Sequence, residues 1–175
     1  MIRFTCLAFI AIDSLLDAQA AYSPIEYLYF VEYLTIAEKH RGNNVFFEMV
    51  EQMKAFLEDA HPDYRYGVTE VMNEPGRDHP SPAKQLLIRL LKFVGFRLIH
   101  APYFQPRLTM DDCESELSGV WLMYCPTPLR SIRSLTYLSI LRTIYYENYL
   151  GWKGESSSKH AYKKHLDALY AKIQG

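Results

Sequence analysis

The most constraining feature of the sequence is an apolar run that leads through a polar turn into a helical pattern. Residues 27–37 are rich in Tyr, Phe, Val and Ile, which is typical of a largely buried strand. Residues 38–44 read EKHRGNN. From Val45 onward apolar residues recur at three- and four-residue spacing until Pro62 ends the pattern, and Asn44 is the predicted N-cap. The segment therefore predicts a strand, a turn and a helix in succession.

The rest of the chain continues this alternation. A strand is predicted over 64–72, a loop over 73–80, and a helix that begins at Ser81-Pro82 and ends at Gly95. Further strands are predicted over 98–104 and 120–125, joined by an acidic loop at 111–116, and helices over 131–150 and 162–173. The order predicts an α/β (α+β) fold with a mixed sheet. Its first connection is a parallel crossover and its last two strands are an antiparallel pair. We expect residues 1–128 to form the core and residues 129–175 to form a helical extension packed on it.

Composition excludes several classes of protein. With 175 residues, 49% of them hydrophobic, the chain has enough apolar material for one folded domain and is not disordered. A formal net charge of −1 argues against a nucleic-acid partner. The three cysteines are far apart and the histidines show no metal-ligand spacing, so we expect no metal and a reducing, cytoplasmic location. No run reaches the ~20 apolar residues of a membrane span, so no membrane partner is expected.

The N-terminus allows two interpretations. The apolar run from Phe4 to Ile12 predicts a buried strand. The alternative is a secretory signal, because Arg3 precedes the run and Ala18-Gln19-Ala20 resembles a cleavage site. The short run and the acidic Asp13 and Asp17 favour the strand.

The polar turn at residues 38–44 is a candidate site for binding an anion. The first N–H groups of a helix lack intrahelical partners, and the helix dipole adds partial positive charge there. Arg41, Gly42, Asn43 and Asn44 lie on this turn, and the Arg41 guanidinium can add a full charge. The same pattern also fits an ordinary loop between a strand and a helix.

The segment YFVEYLTIAEKHRGNNVFFEMVEQM and the later helix ending in KFVGF together resemble the GNAT acyltransferase superfamily over residues 25–127. The resemblance implies that the turn binds the pyrophosphate of acetyl-coenzyme A. Arg41 matches the opening residue of the family motif, while Asn44 and Phe46 replace its small residues. Leu91 replaces a tyrosine that protonates the departing thiolate. Two helices usual before the core strand are either missing or reduced to strands. The resemblance also implies a carbonyl-binding backbone amide at the splayed strand end; the residues implied to contact acetyl-coenzyme A are Leu34, Thr35, Ile36, Arg41, Gly42, Asn43, Asn44, Val45 and Phe46.

Transfer to an amine requires a base, and the strands offer two carboxylates. Glu32 lies in an otherwise apolar strand, where burial would raise its pKa; it could instead pair with an Arg or lie solvated where the sheet opens. Glu70 in the next strand is the second candidate, and Tyr103 is a substitute acid. Tyr145, Tyr146 and Tyr149 form a helical stripe that fits core, a dimer interface or the wall of an acceptor site.

The predicted function is direct transfer of an acetyl group from acetyl-coenzyme A to an amine of a small molecule or a protein. The alternative is a non-catalytic module of the same fold that binds a ligand or a partner. The helices after residue 130 would cover an otherwise exposed surface, either within one chain or within a homodimer.

Overall fold

The computed structural model describes residues 6–10, 16–24, 26–36, 38–42, 44–72, 79–106, 120–126, 137–152 and 158–174. Its strands are β1 (Cys6–Ile10), β2 (Leu16–Ser23), β3 (Leu28–Ile36), β4 (Tyr66–Met72), β5 (Arg97–Leu98) and β6 (Val120–Pro126). Its helices are α1 (Val45–Ala60), α2 (Pro82–Phe93), α3 (Tyr137–Arg142), α4 (Leu150–Trp152) and α5 (Ser158–Gln174), with a π-helical segment (Thr143–Tyr149) between α3 and α4.

The described strands form one mixed sheet in the order β1-β2-β3-β4-β6-β5. The β3–β4 pair is parallel and is connected through α1, while the other four pairs are antiparallel. The predicted α+β fold, its parallel crossover and its antiparallel last pair are therefore confirmed. The boundaries of β3 and α1 also match, because the change from apolar alternation to helical spacing is local to the sequence.

One predicted element is wrong in extent. The strand expected over 98–104 is limited to Arg97–Leu98, after which Ile99 N–H donates to Leu122 O at 2.9 Å and the chain leaves the sheet. Pro102 lies in the departing segment, and proline cannot donate to a strand ladder. The helix expected over 131–150 is helical from Tyr137 onward, as α3, the π segment and α4 in succession. Residues 131–136, the acidic stretch 111–116 and residues 73–78 lie outside the described residues.

The region before β3 consists of strands in its described part. Cys6–Ile10 forms β1, which confirms a strand there, and Ala18-Gln19-Ala20 lies within β2 and pairs with β3. The two alternatives for the front of the fold stay predictions. Within the described ranges, no helix has both the length and the apolarity to cross a bilayer.

Alternation along β3 and β4 gives the sheet two covered faces. On one face Tyr29 and Val31 pack against α1, and Val71 packs against α2 through Leu91. On the other face Leu28, Phe30, Tyr66 and Val68 pack against α3, the π segment and α5. Because side chains alternate across a strand, Glu70 shares the face of Val68 and points toward the C-terminal helices. The division into a core of residues 1–128 and an extension of residues 129–175 stays a prediction.

Candidate functional site

The two central strands separate into a fork. The parallel register runs from Leu28–Tyr66 to Val31–Thr69, and beyond this point β3 pairs with β2 while β4 pairs with β6. The register of β2 and β3 shifts at Gln19/Ala20, so that Glu32 is an extra residue on β3. Such a bulge bends its strand and ends the neighbouring pairing. At the apex, the Thr69 hydroxyl donates to Val31 O at 3.1 Å.

A cavity of about 210 Å³ occupies this fork. It extends from the first turn of α1 to two carboxylates, Glu32 and Glu70, and the first turn of α2 contributes Lys84. Its walls are mainly apolar. The lining residues are Val31, Glu32, Tyr33, Leu34, Phe46, Val50, Met53, Thr69, Glu70, Val71, Met72, Lys84, Leu87, Leu91 and Phe96.

The β3 residues that the sequence assigned to carbonyl binding lie along one arm of the fork. Leu34 lines the cavity, Thr35 pairs with Asp17 of β2, and Ile36 O accepts a hydrogen bond from Arg41 Nε at 3.0 Å. In an antiparallel pair, alternate residues direct their N–H groups away from the partner strand. Past Val31 such groups on β3 face the fork instead of β4, so this arm can donate to a carbonyl oxygen in the cavity.

The polar turn takes the left-handed backbone that a tight entry into α1 requires. Gly42 has φ +93° and Asn44 has φ +61°, both in the region that Gly and Asn tolerate best. Asn44 is the N-cap, as predicted, but its side chain does not cap the helix, because side-chain capping needs an extended backbone. Asn43 lies outside the described residues.

The amides at the start of α1 divide into two groups. Phe47 N–H and Glu48 N–H donate to Asn44 O at 2.9 and 3.1 Å. Val45 and Phe46 precede them, and a helix has no acceptor of its own for N–H groups at these positions. Arg41 is exposed, and its Nε donates to Ile36 O. The terminal nitrogens of the guanidinium carry four further N–H donors, which have no described partner.

Phe46 and Leu91, which replace motif residues of the family, lie on the cavity wall. The Phe46 ring is half-buried, packs edge-on against Phe47 at 5.5 Å between centroids, and contacts a cluster that contains Val71 and Leu91. Leu91 is buried. Phe46 is therefore part of the core on the α1 and α2 face, and the cavity passes beside its ring.

Glu70 lies at the centre of a polar network. Tyr103 OH donates to its Oε1, Gln105 Nε2 donates to Oε2 at 2.6 Å, and Tyr149 OH donates to Oε2 at 2.8 Å. Burial raises the pKa of Glu70 from 4.5 to about 7, and the nearby Glu32 carboxylate adds to the rise, while the three hydrogen bonds oppose it. Burial, with the Glu70 charge beside it, also raises the pKa of Tyr103 well above its usual range. Tyr103 therefore stays protonated and donates.

The structure brings Glu32, Glu70 and Tyr103 together at the fork. Of the turn residues, Phe46 lines the other end of the cavity, while Arg41, Gly42, Asn44 and Val45 precede it in the chain and are not among the lining residues. Gln105 was not chosen from sequence, and Tyr149 was one member of an aromatic stripe with several interpretations. Their contacts with Glu70 span 35 and 79 residues of chain. Periodicity cannot reveal contacts of that range.

Among the described residues, no three His, Cys, Asp or Glu side chains come together as a metal-binding set. The polar groups of the fork are two carboxylates, hydroxyl groups, backbone amides and the Lys84 side chain. Such a set can bind an anion at one end of the cavity and accept a proton at the other.

Comparison with a solved structure identifies the fold. A Bacteroides thetaiotaomicron protein assigned to the GNAT family of acetyltransferases superimposes with a TM-score of 0.55 at 22% identity, covering 78% of this chain and 70% of its own. The chain has a GNAT fold. The sequence matches no family model and no curated protein.

Two further GNAT-fold structures superimpose with TM-scores below 0.5. The ribosomal-protein-S18-alanine N-acetyltransferase of Escherichia coli gives 0.49 at 12% identity, covering 77% of this chain and 76% of its own. A Bacillus anthracis protein described as a streptothricin acetyltransferase, solved in complex with acetyl-coenzyme A, gives 0.44 at 14% identity, covering 65% and 56%. At these identities the likenesses concern the fold, so the activity of this chain has to be argued from its own residues.

Proposed function

We propose that this protein is an N-acetyltransferase that moves an acetyl group from acetyl-coenzyme A directly to an amine. One observation carries the proposal. The fork between β3 and β4 holds a cavity that begins at the N-terminus of α1 and ends at Glu70, a carboxylate whose pKa burial raises to about 7. An anion-binding end and a proton-accepting end on one cavity are what acetyl transfer to an amine needs.

The residues present fit acetyl-coenzyme A as a co-substrate. A diphosphate would bind at the mouth of the fork, by which we mean the end of the cavity nearest the start of α1. The Val45 and Phe46 amides and the Arg41 guanidinium supply donors for it there. Phe46, Val50 and Leu91 form an apolar wall that suits the chain of the co-substrate that carries the thioester. The part of β3 beyond Val31 supplies a backbone amide for the thioester oxygen. That amide would stabilise the negative charge that the oxygen gains in the transition state.

The reaction begins with a proton. An alkylammonium acceptor with a pKa near ~10.4 must lose a proton before it can attack, and the Glu70 carboxylate accepts it directly or through water. The neutral nitrogen attacks the thioester carbon and forms a C–N bond. The C–S bond then breaks, the thiolate leaves, and the second proton of the nitrogen passes to the thiolate through solvent. The products are an acetamide, a free thiol and one proton released from Glu70.

The departing thiolate does not require a protein acid. A thiol with a pKa near ~8.5 leaves readily as its anion, so the aliphatic Leu91 at the position of the family tyrosine does not block the step. Glu70 is assigned as the base on geometry, because three described donors hold its carboxylate in one orientation. Glu32 raises the pKa of Glu70 through its charge.

A non-catalytic module is the second candidate. Leu91 and Phe46, both on the cavity wall, favour it, because the first cannot donate a proton and the second narrows the channel compared with a small residue. A module of this kind would bind the carrier without breaking the thioester.

Calorimetric titration with acetyl-coenzyme A, together with a thiol-release assay over a panel of amines, tests the proposal. Binding and amine-dependent thiol release are expected, and Glu70→Gln should retain binding while losing release. Exposed Glu58 on α1 offers the matched control, Glu58→Gln, which should retain both. Binding without release on any amine would support the module, and absence of binding would overturn both proposals.

A further inference from the structure

Two side chains hold the Glu70 carboxylate from behind, on the side of the C-terminal helices. Gln105 Nε2 donates to Glu70 Oε2 at 2.6 Å and to Tyr149 OH at 3.0 Å, and Tyr149 OH donates to the same Oε2 at 2.8 Å. The three groups form a closed triangle of hydrogen bonds. Neither Gln105 nor Tyr149 lines the fork cavity, whereas Glu70 does.

Counting lone pairs shows what the triangle leaves available. An ionised carboxylate has about four acceptor sites, two on each oxygen. Gln105 and Tyr149 occupy both sites of Oε2, and Tyr103 occupies one site of Oε1. No donor from the described part of the chain occupies the second site on Oε1, which remains for an incoming proton.

We propose that Gln105 and Tyr149 are positioning residues for the base, fixing Oε2 so that the acceptor's proton is taken at Oε1 of Glu70. This inference rests on the proposed function. In consequence, the C-terminal helices contribute a positioning residue to the site, Tyr149, in addition to covering the sheet.

The local structure supports such a role. Tyr149 is the last residue of the π-helical segment, and π-helical turns inside helices occur frequently at functional sites. One turn earlier, Tyr145 OH donates to Phe104 O at 2.6 Å, next to Gln105. Tyr145 and Tyr149 are both buried. The π segment therefore holds the backbone that carries Gln105 and also delivers the second donor itself.

The ionisable groups that act on Glu70 come from every element packed around it. Among the described residues, those whose charges couple to Glu70 are acids, so none of these adds a positive charge that would favour its carboxylate form. They are Glu32 of β3, Tyr103 of the segment after β5, Tyr145 and Tyr149 of the π segment, and Tyr162 of α5. Lys84 of α2 is a cation that lines the same cavity. Hydrogen-bond donation is therefore the means by which these neighbours keep Glu70 ionisable near neutrality.

Tyr149→Phe tests the inference, with Tyr29→Phe as its matched control. Each variant removes one buried tyrosine hydroxyl, but Tyr29 packs against α1 on the opposite face of the sheet, and only the first variant loses a donor to Glu70. The Glu70 titration is followed by NMR on protein carrying ¹³C-labelled glutamate carboxyls, with its signal assigned by its absence in Glu70→Gln. Tyr149→Phe should move the titration midpoint up by about one pH unit, because the lost bond favoured the ionised form. Tyr29→Phe should leave it in place.

Acetyl transfer supplies the second measurement. The rising limb of the pH–rate profile should move with the NMR midpoint, which corresponds to about a fivefold loss of rate at pH 7 with an unchanged affinity for acetyl-coenzyme A. Gln105→Met, which removes two donors at similar size, should move the midpoint in the same direction, and it serves if Tyr149→Phe does not fold. A midpoint unmoved in both Tyr149→Phe and Gln105→Met, or moved equally by Tyr29→Phe, overturns the inference. If the wild-type protein transfers no acetyl group, the proposed function fails while the NMR result still decides whether the triangle controls Glu70.

Discussion

Replacing Glu70 by Gln should change how the stability of the protein depends on pH. Burial raises the pKa of Glu70 from 4.5 to about 7, so between these values the folded state keeps a proton that the unfolded state has released. The free energy of unfolding of the wild-type protein therefore falls as pH rises through this window. It is constant, as far as Glu70 is concerned, below 4.5 and above 7. A rise of this size corresponds to about 3 kcal/mol at 1.36 kcal/mol per unit.

The variant removes this dependence because an amide carries no charge at either pH. Its NH₂ group meets the donors that now bind the carboxylate, and that conflict costs the variant a similar free energy at every pH. The test is therefore how the difference in free energy of unfolding between the variant and the wild-type protein changes with pH. From about pH 4 to about pH 8 the variant should gain about 3 kcal/mol relative to wild type.

Urea denaturation followed by circular dichroism measures this difference across the window, with Glu58→Gln as the control for loss of one exposed carboxylate. The control should track the wild-type protein. A difference between Glu70→Gln and wild type that stays constant with pH would refute the reasoning, because Glu70 would then titrate alike in both states. It would also remove the main argument for Glu70 as the base.

Three further substitutions probe the mouth of the fork. Arg41→Ala should weaken acetyl-coenzyme A binding by about 1–3 kcal/mol in calorimetry, since it removes a charged donor to phosphate, while Lys39→Ala in the same turn should not; equal losses would assign the effect to overall charge. Phe46→Ala should lower the free energy of unfolding by roughly 2 kcal/mol, about half the cost for a fully buried ring, and should lower affinity with it; tighter binding would instead show that the ring obstructs the channel. Gly42→Ala should cost about 1 kcal/mol from its backbone alone, because its φ is +93° and a Cβ there meets no atom within 4 Å; an unchanged urea midpoint would contradict the left-handed turn.

Much of the fold could be predicted because its signals are local. The spacing of apolar residues predicts β3, the polar turn and α1 in succession. Two residues predict the start of α2. Ser81 is the N-cap, whose Oγ accepts a hydrogen bond from Lys84 N–H, and Pro82 occupies the first helical position. The two candidate carboxylates were also visible, as acidic residues within apolar strands. The error over 98–104 has a local cause as well, because apolar residues suggested a strand across Pro102, which cannot donate to a strand ladder.

Tertiary structure decided the site. β3 leaves β4 where the register with β2 shifts opposite Glu32, and such a bulge belongs to a pair of strands, so the pattern of either strand alone does not show it. The distinction between Glu32 and Glu70 was likewise hidden, because it depends on donors brought from residue 105 and residue 149. A carboxylate pKa is set by burial and by the hydrogen bonds around it, both of which exist only once distant segments have packed together. The sequence by itself thus determined which elements form, while the packing of the C-terminal helices determined which carboxylate is held near neutrality.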